Sequence, residues 1–450
     1  MSTVAPNGSA AAATNLGAIK TYCSVPPDCD EPCVGHSNAS TRIATTLETS
    51  ETVAVNAKHD HAPGKKPRRL RCLFVTPYPV SHFGGVERVT GMLQSELPKY
   101  GIDVDVLDGS SCVPRIRLRL GLSNLLWFWL LSCQAKKRAT DGGYDVILVN
   151  GDAGWAIRSA IPLVNIHHGT GRGVSRSFMK ARVDTGAGAA RRRAVRFWSD
   201  TFLAQFQRLG ASHASVNVPV SESTAEELHE LYRVPRARIR VIENGVDLGH
   251  FRRLPRAESR RQFGLDPASF VVLFVGRNEK RKGVQKLIDF ADLVHRRRPD
   301  CIVVAATNQP IPSVHVVSLL NVPYDDLPAL YSAADVFLLP TFYEACSLAL
   351  IEAMACSTPI LVSSAGHARE ISSRVPMLSH YILSVDASSQ DYAEIALSMI
   401  SDPETLRELA EAERSYCLQY HDLAGMVAKY ADLIRGLADV SQCGKIKVGS

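Results

Sequence analysis

The sequence predicts an α/β chain in which two doubly wound, Rossmann-like domains face each other across a cleft. Three observations carry that prediction. Short, almost wholly apolar runs alternate with helix-periodic segments, the pattern of parallel strands covered on both faces. The alternation comes as two series, one ending near residue 245 and one beginning near residue 270. Glycines and charged residues gather where the apolar runs stop, and such sheets bind ligands outside the carboxyl ends of their strands.

The elements follow in order. "RCLFVTPYPV" (71–80) is a first buried strand, and Gly84-Gly85 precedes the helix-periodic "VERVTGMLQSELPKYG". "IDVDVLDG" is the next strand, and its "DVD" marks outward polar positions rather than a metal motif. "YDVILVNG" (144–151) and "IPLVNIHHG" (161–169) are strand-then-loop units. "ASVNVPVSESTAEELHELY" is a strand, a cap at Ser221 or Ser223, and a helix. The second series runs through "FVVLFVGR", "KGVQKLIDFADLVHRR", "CIVVAAT", "VHVVSLL", "DDLPALYSAA", "DVFLLP" and "PILVSS". These units predict a polar tail over 1–68, a first domain over 69–245, a second over 246–420, and a C-terminal segment over 421–450.

The tail is small and polar and lacks the apolar content to offset ordering entropy. Cys23, Cys29, Cys33 and His36 lie in it, but no second ligand pair accompanies them. The eleven cysteines form no framework and fit a reducing cytoplasm, and no charged-then-apolar leader is visible. A net charge of +6 is concentrated in basic runs of the first half, which favours an anionic partner. No nucleic-acid module accompanies those runs. The apolar run "LSNLLWFWLLSC" (122–133) is too short to span a bilayer. It fits a core helix. It also fits an interfacial surface in which Trp127 and Trp129 work with Arg115, Arg117, Arg119, Lys136 and Lys137 toward anionic membrane.

Three constellations suit anion chemistry. Gly84-Gly85 between strand and helix lets backbone approach a phosphate. "VGRNEKRKG" places Arg277 and Lys282 at a strand end, two cations suited to a diphosphate, with Lys280 and Arg281 as competing candidates. "TFYEACSLALIEAMACSTPIL" (341–361) carries Glu344 and Glu352. On one continuous helix these would stand about 80° and about 12 Å apart and share neither a proton nor a metal. With Ser347 as N-cap, Glu344 instead occupies a loop facing a helix N-terminus, and Glu352 the helix itself. Two solvated charges on a core helix remain the plain alternative. His167-His168 ends a buried strand, where one imidazole can meet a substrate hydroxyl.

Taken together, "GGVERV", "HHGTG", "VSESTAEEL", "ENGVDLGHF", "GRNEKRKG", "YSAADVFLLPTFYEACSLALIEAMACSTPIL" and "SSAGHAREI" resemble the retaining GT-B glycosyltransferases of family 4, over about residues 70–436. The resemblance implies a metal-independent hexosyltransferase that moves sugar from a UDP- or GDP-sugar to a hydroxyl acceptor of glycan or lipid-linked type, with no cofactor. It implies that Arg277 and Lys282 hold the donor diphosphate, and that Glu352 bonds the ribose. Glu344 and His168 then stand beside the reacting sugar. Gly85 then lies near the β-phosphate, with Gly84 beside it in the donor-binding turn, and Ala345, Cys346, Ser347 and Leu348 offer backbone N–H groups. The helix around 421–440 crosses back to the first domain. Where the family has Gly-Phe-Gly, this chain has Ala345-Cys346-Ser347. The alternatives are an epimerase or hydrolase of sugar nucleotides on the same fold, or a non-catalytic glycan-binding subunit.

Overall fold

The computed structural model describes residues 68–81, 84–114, 122–180 and 204–446. The tail, the basic segment that holds Arg115, Arg117 and Arg119, and "RRRAVR" (191–196) lie outside them.

The first sheet contains β1 (Leu70–Thr76), β2 (Ile102–Asp108), β3 (Val146–Asn150), β4 (Leu163–His167) and β5 (Val216–Pro219). All are parallel, in the order β2-β1-β3-β4-β5. The second contains β6 (Phe270–Val275), β7 (Cys301–Thr307), β8 (Val316–Leu320), β9 (Val336–Leu339), β10 (Ile360–Ser363) and β11 (Ile382–Leu383). It is also parallel, in the order β11-β10-β9-β6-β7-β8. In each sheet the strand order reverses beside the strand that opens the series. The crevice at that reversal lies between β1 and β3 in one sheet and between β6 and β9 in the other, and it is where open α/β sheets bind ligands.

Five helices matter below: α1 (Gly85–Glu96), α2 (Leu122–Gly142), α3 (Leu348–Ala355), α4 (Ala368–Arg374) and α5 (Leu423–Ile446). β3 and β9 are buried along their whole length, which is why they read as unbroken apolar runs. β2 instead exposes Asp103, and Asp103 and Asp105 pair with Arg69 and Arg71. Its "DVD" is therefore an outward polar face. α2 buries Leu131, Ala135 and Ala139 in the core, while Trp129 is 46% exposed. Trp127 is half-buried, and its indole N–H donates to the Val113 carbonyl at 3.4 Å. Among the described residues the apolar run is thus a core helix on one face, with Trp129 and Cys133 exposed on the other. Among the described residues no helix is long and apolar enough to cross a membrane. α5 returns the chain to the first domain, packing against α1 and β3.

Candidate active site

The β1–α1 turn and the ends of β4, β6 and β9 line one cleft of about 730 Å³. Gly84, Gly85, His168, Arg277, Lys282, Glu344, Ala345, Cys346, Ser347, Leu348 and Glu352 all border it. The second sheet supplies the charge. After β6 the chain makes a short 3-10 turn at Lys280–Lys282 and closes it at Gly283 with φ of 75°. A Cβ on Gly283 would fall 2.0 Å from the Pro340 carbonyl oxygen, so only glycine lets this turn sit on the end of β9. Thr341 donates its hydroxyl to the Arg281 carbonyl at 2.8 Å, and the Phe342 N–H donates to the same oxygen at 2.9 Å. The loops after β6 and β9 are thereby laced together, and Lys282 Nζ reaches Glu344 Oε1 at 2.6 Å.

Glu344 is an ionised, inward carboxylate. Burial pushes its carboxyl up, but Lys282 and Arg281, with the hydrogen bonds from Lys282 and Thr341, hold it below the usual range. Ser347 caps α3, accepting from the Leu350 N–H at 3.4 Å. The carbonyls of Ala345 and Cys346 accept from the His367 N–H (2.8 Å) and the Asn244 amide (3.0 Å). In a trans peptide the following N–H points the opposite way, so the amides of Cys346 and Ser347 face away from those two donors.

The first sheet places its own helix N-terminus opposite. Gly84 precedes α1, and a Cβ there would lie 3.2 Å from an Arg277 guanidinium nitrogen. Arg277 thus reaches across the cleft to the glycine turn. A Cβ on Gly85 would stand 3.9 Å from Leu348, so the N-termini of α1 and α3 approach each other. Each end carries the partial positive charge of the helix dipole, and at α1 the Glu87 carboxylate stands in the turn, its Oε2 2.0 Å from where a Gly84 Cβ would lie.

The histidine doublet separates cleanly. His167 is buried with Nε2 on Asn217 Oδ1 at 2.9 Å. His168 borders the cleft, with Nε2 on Asn150 Oδ1 at 3.2 Å. The Asn150 amide nitrogen donates to Thr76 and Thr90, which turns its oxygen toward His168. Nε2 of His168 therefore carries the proton, leaving Nδ1 as an acceptor. Burial lowers the pKa of His168 to about 4, with His167 adding to the shift, and burial lowers His167 to about 4 against its bond to Asn217. Both rings are neutral above that range. Their proton resonances are expected not to titrate between pH 5.5 and 8 in an NMR pH series, where an unperturbed imidazole has its midpoint near 6.5. A midpoint near 6.5 for either ring shows an open, hydrated pocket instead.

The partners of the predicted residues were not singled out in the sequence reading. Glu352 is fully buried; Oε2 accepts from the Tyr331 hydroxyl at 3.0 Å, and Oε1 pairs with Arg88 of α1. Arg88 lies over the Tyr324 ring at 4.8 Å. Tyr343 donates to Glu227 at 2.8 Å and accepts the Thr170 N–H at 2.8 Å, which ties the loop of Glu344 to the segment after His168. The charged pair after "GGV" was the available clue to Arg88, since it falls in the first turn of a helix that starts at the cleft.

Comparison with known proteins bears directly on this geometry. The family model described as Glycosyltransferase Family 4 matches residues 83–250, and that described as Glycosyl transferases group 1 matches residues 255–416. The chain belongs to the group 1, family 4 glycosyltransferases. The two matches meet where the first series of strands gives way to the second. The glycosyltransferase is 25% identical over 422 residues to the D-inositol 3-phosphate glycosyltransferase of Rhodococcus erythropolis, covering 81% of this chain and 91% of that one. It is 31% identical over 213 residues to the enzyme of that name from Pseudarthrobacter chlorophenolicus, covering 43% of this chain and about half (49%) of the relative. Among solved structures, sucrose-phosphate synthase of Thermosynechococcus elongatus superposes with a TM-score of 0.67 at 19% identity, over 83% of this chain and 100% of that one. Anabaena HepE in complex with UDP-glucose gives 0.59 at 18%, over 82% and 100%. These likenesses establish the GT-B fold.

Proposed function

We propose that this glycosyltransferase moves a sugar from a nucleoside-diphosphate sugar to a hydroxyl acceptor, with retention at the anomeric carbon and without a metal ion at the diphosphate. The observation that carries this is the ion pair of Lys282 and Glu344, set where two helix N-termini meet and Arg277 crosses to the glycine turn. A leaving diphosphate gathers negative charge, and fixed cations and N–H dipoles in a closed cleft stabilise it. Lys282 supplies a point charge, Arg277 a planar fork. Glu344, held by Lys282, lies beside the sugar. His168 offers Nδ1 to a sugar hydroxyl. The ribose hydroxyls take over the Glu352 oxygen that Arg88 holds, so donor entry exchanges one partner of a buried carboxylate for another. That HepE was solved with UDP-glucose makes UDP-sugars the first donors to try.

The test is a panel of UDP- and GDP-sugars with a hydroxyl acceptor, following nucleoside diphosphate release and the anomeric proton coupling of the product. Transfer with retained configuration is expected, and its rate is expected not to rise with added magnesium or manganese. A product of inverted configuration, or a rate that needs either ion, overturns the corresponding part. A lipid-linked acceptor fits the exposed Trp129, which shares α2 with exposed Lys136 and Lys137. Flotation with acidic vesicles, weakened by Trp129→Ala, is the expected signature; equal flotation of the variant rejects it.

A further inference from the structure

Behind the donor loop, away from the sugar chemistry, three side chains converge from three parts of the chain. Glu243 sits in the segment that leaves the first domain, His367 immediately before α4, and His421 at the end of the Pro403–Tyr420 helix, two residues before α5. Their exposures are 8%, 1% and 0%. One ligand atom from each lies within 4.8 Å of the others. The two imidazole rings are nearly perpendicular, with centroids 4.5 Å apart.

The carbonyl partner of His421 fixes which of its nitrogens is bare. His421 Nδ1 is 2.8 Å from the Asn244 carbonyl oxygen, which can only accept, so Nδ1 carries the proton. Nε2 of His421 is then a lone pair, buried and without a partner. His367 Nε2 lies 3.1 Å from the Tyr416 hydroxyl, and its Nδ1 is likewise buried without a partner. The Tyr416 hydroxyl can donate or accept; in the tautomer that gives Nε2–H to Tyr416, Nδ1 is a second lone pair. Glu243 adds a carboxylate. Arg374 bonds both of its oxygens, at 2.8 and 3.2 Å, but each oxygen has a further lone-pair site. Glu370 stands against Glu243, with its carboxyl pushed up by burial and by that neighbour. In that tautomer three buried acceptors converge. A water molecule has only two protons to offer them, whereas one cation satisfies all three.

We propose that Glu243, His367 and His421 bind a zinc ion that fastens the domain crossover to the donor loop. Two imidazoles and a carboxylate are zinc's usual donors, at about 2.0–2.2 Å. Tetrahedral ligands at that distance stand about 3.4 Å apart, so modest side-chain rotation closes the set around an ion. The Asn244 carbonyl on His421 and the guanidinium on Glu243 are the outer partners that orient such ligands. The consequences are structural. The His367 N–H holds the Ala345 carbonyl, and Asn244, next to Glu243, holds the Cys346 carbonyl. The Val246 N–H donates to the His421 carbonyl at 2.9 Å, and the Leu423 N–H donates back to Val246 at 3.1 Å. An ion here would pin the crossover strands and the residues that follow Glu344 to one point.

The experiment measures metal rather than turnover. Tag-free protein, dialysed against metal-free buffer, is assayed for zinc by plasma mass spectrometry. Near-stoichiometric zinc is expected, with a tenfold or greater loss in His421→Gln and in His367→Gln. Cobalt added to metal-depleted wild type provides a reading that needs no variant. Intense visible bands of a low-coordinate cobalt site, removed by zinc, support the assignment. Wild type that holds no zinc, takes none up and gives only the weak spectrum of aqueous cobalt overturns it, as does full zinc content in folded glutamine variants.

Discussion

Lys282→Ala is expected to lower kcat/KM by roughly 10²–10³-fold, about 3–4 kcal/mol of lost transition-state stabilisation. The substitution acts twice. It removes the mostly covered cation proposed to face the diphosphate, and it strips Glu344 of the partner 2.6 Å away. Arg281, at 3.3 Å, remains, so the Glu344 carboxylate keeps one cation. Arg277→Ala is expected to cost less, about 2 kcal/mol, because its side chain is 41% exposed and water replaces part of what it gives. Lys280→Ala sits in the same turn but on the exposed side, outside the cleft, and is expected to be close to neutral. Steady-state kinetics on the three variants, with donor binding by calorimetry, separates the roles. If Lys282→Ala and Arg277→Ala turn over donor as wild type does, the diphosphate does not sit between them.

The fold was legible because strands buried on both faces cannot hide polar residues. β9, "VFLL", and the central residues of β1 have no side chain that faces water, so the apolar run and its end mark the strand and its carboxyl edge. The second sheet's reversal lies between the strands that precede Arg277 and Glu344, so two loops far apart in sequence fall in one crevice. Which histidine enters the cleft was also recoverable in principle. Side chains alternate along β4, so His168 shares the face of Val164 and Ile166, both in the core with Val89 and Leu93 of α1. What no local pattern carries is the pairing across the cleft. Arg88 and Glu352 are 264 residues apart, and Tyr343 and Glu227 are 116 apart. Each looks locally like an ordinary polar position on a helix or loop. The Glu243, His367 and His421 cluster escaped for the same reason: its members come from three segments, each without metal-ligand spacing of its own.

Glu344→Gln and Glu352→Gln are expected to fail in different ways. Both carboxylates border one cleft, but they hold different neighbours. Glu344 faces the cations after β6, where it is proposed to meet the reacting sugar. Its glutamine variant keeps the shape and one acceptor oxygen but loses the charge that Lys282 and Arg281 sustain. The field at the anomeric centre changes, so kcat falls about 10²–10³-fold while donor affinity changes little. Glu352 is buried against Tyr331 and Arg88. A glutamine there still accepts from Tyr331, but it loses the charge-assisted bonds that the ribose hydroxyls are proposed to make. Donor affinity is expected to fall by about 1.5–3 kcal/mol, with kcat at saturating donor reduced far less. The variant also releases Arg88, so Arg88→Ala gives a control that removes the cross-cleft ion pair and spares the ribose acceptor. If Arg88→Ala weakens donor as much as Glu352→Gln does, the loss comes from the broken ion pair and not from the ribose. If both glutamine variants behave as wild type, these residues are two charges near a core helix, and the reaction is carried elsewhere.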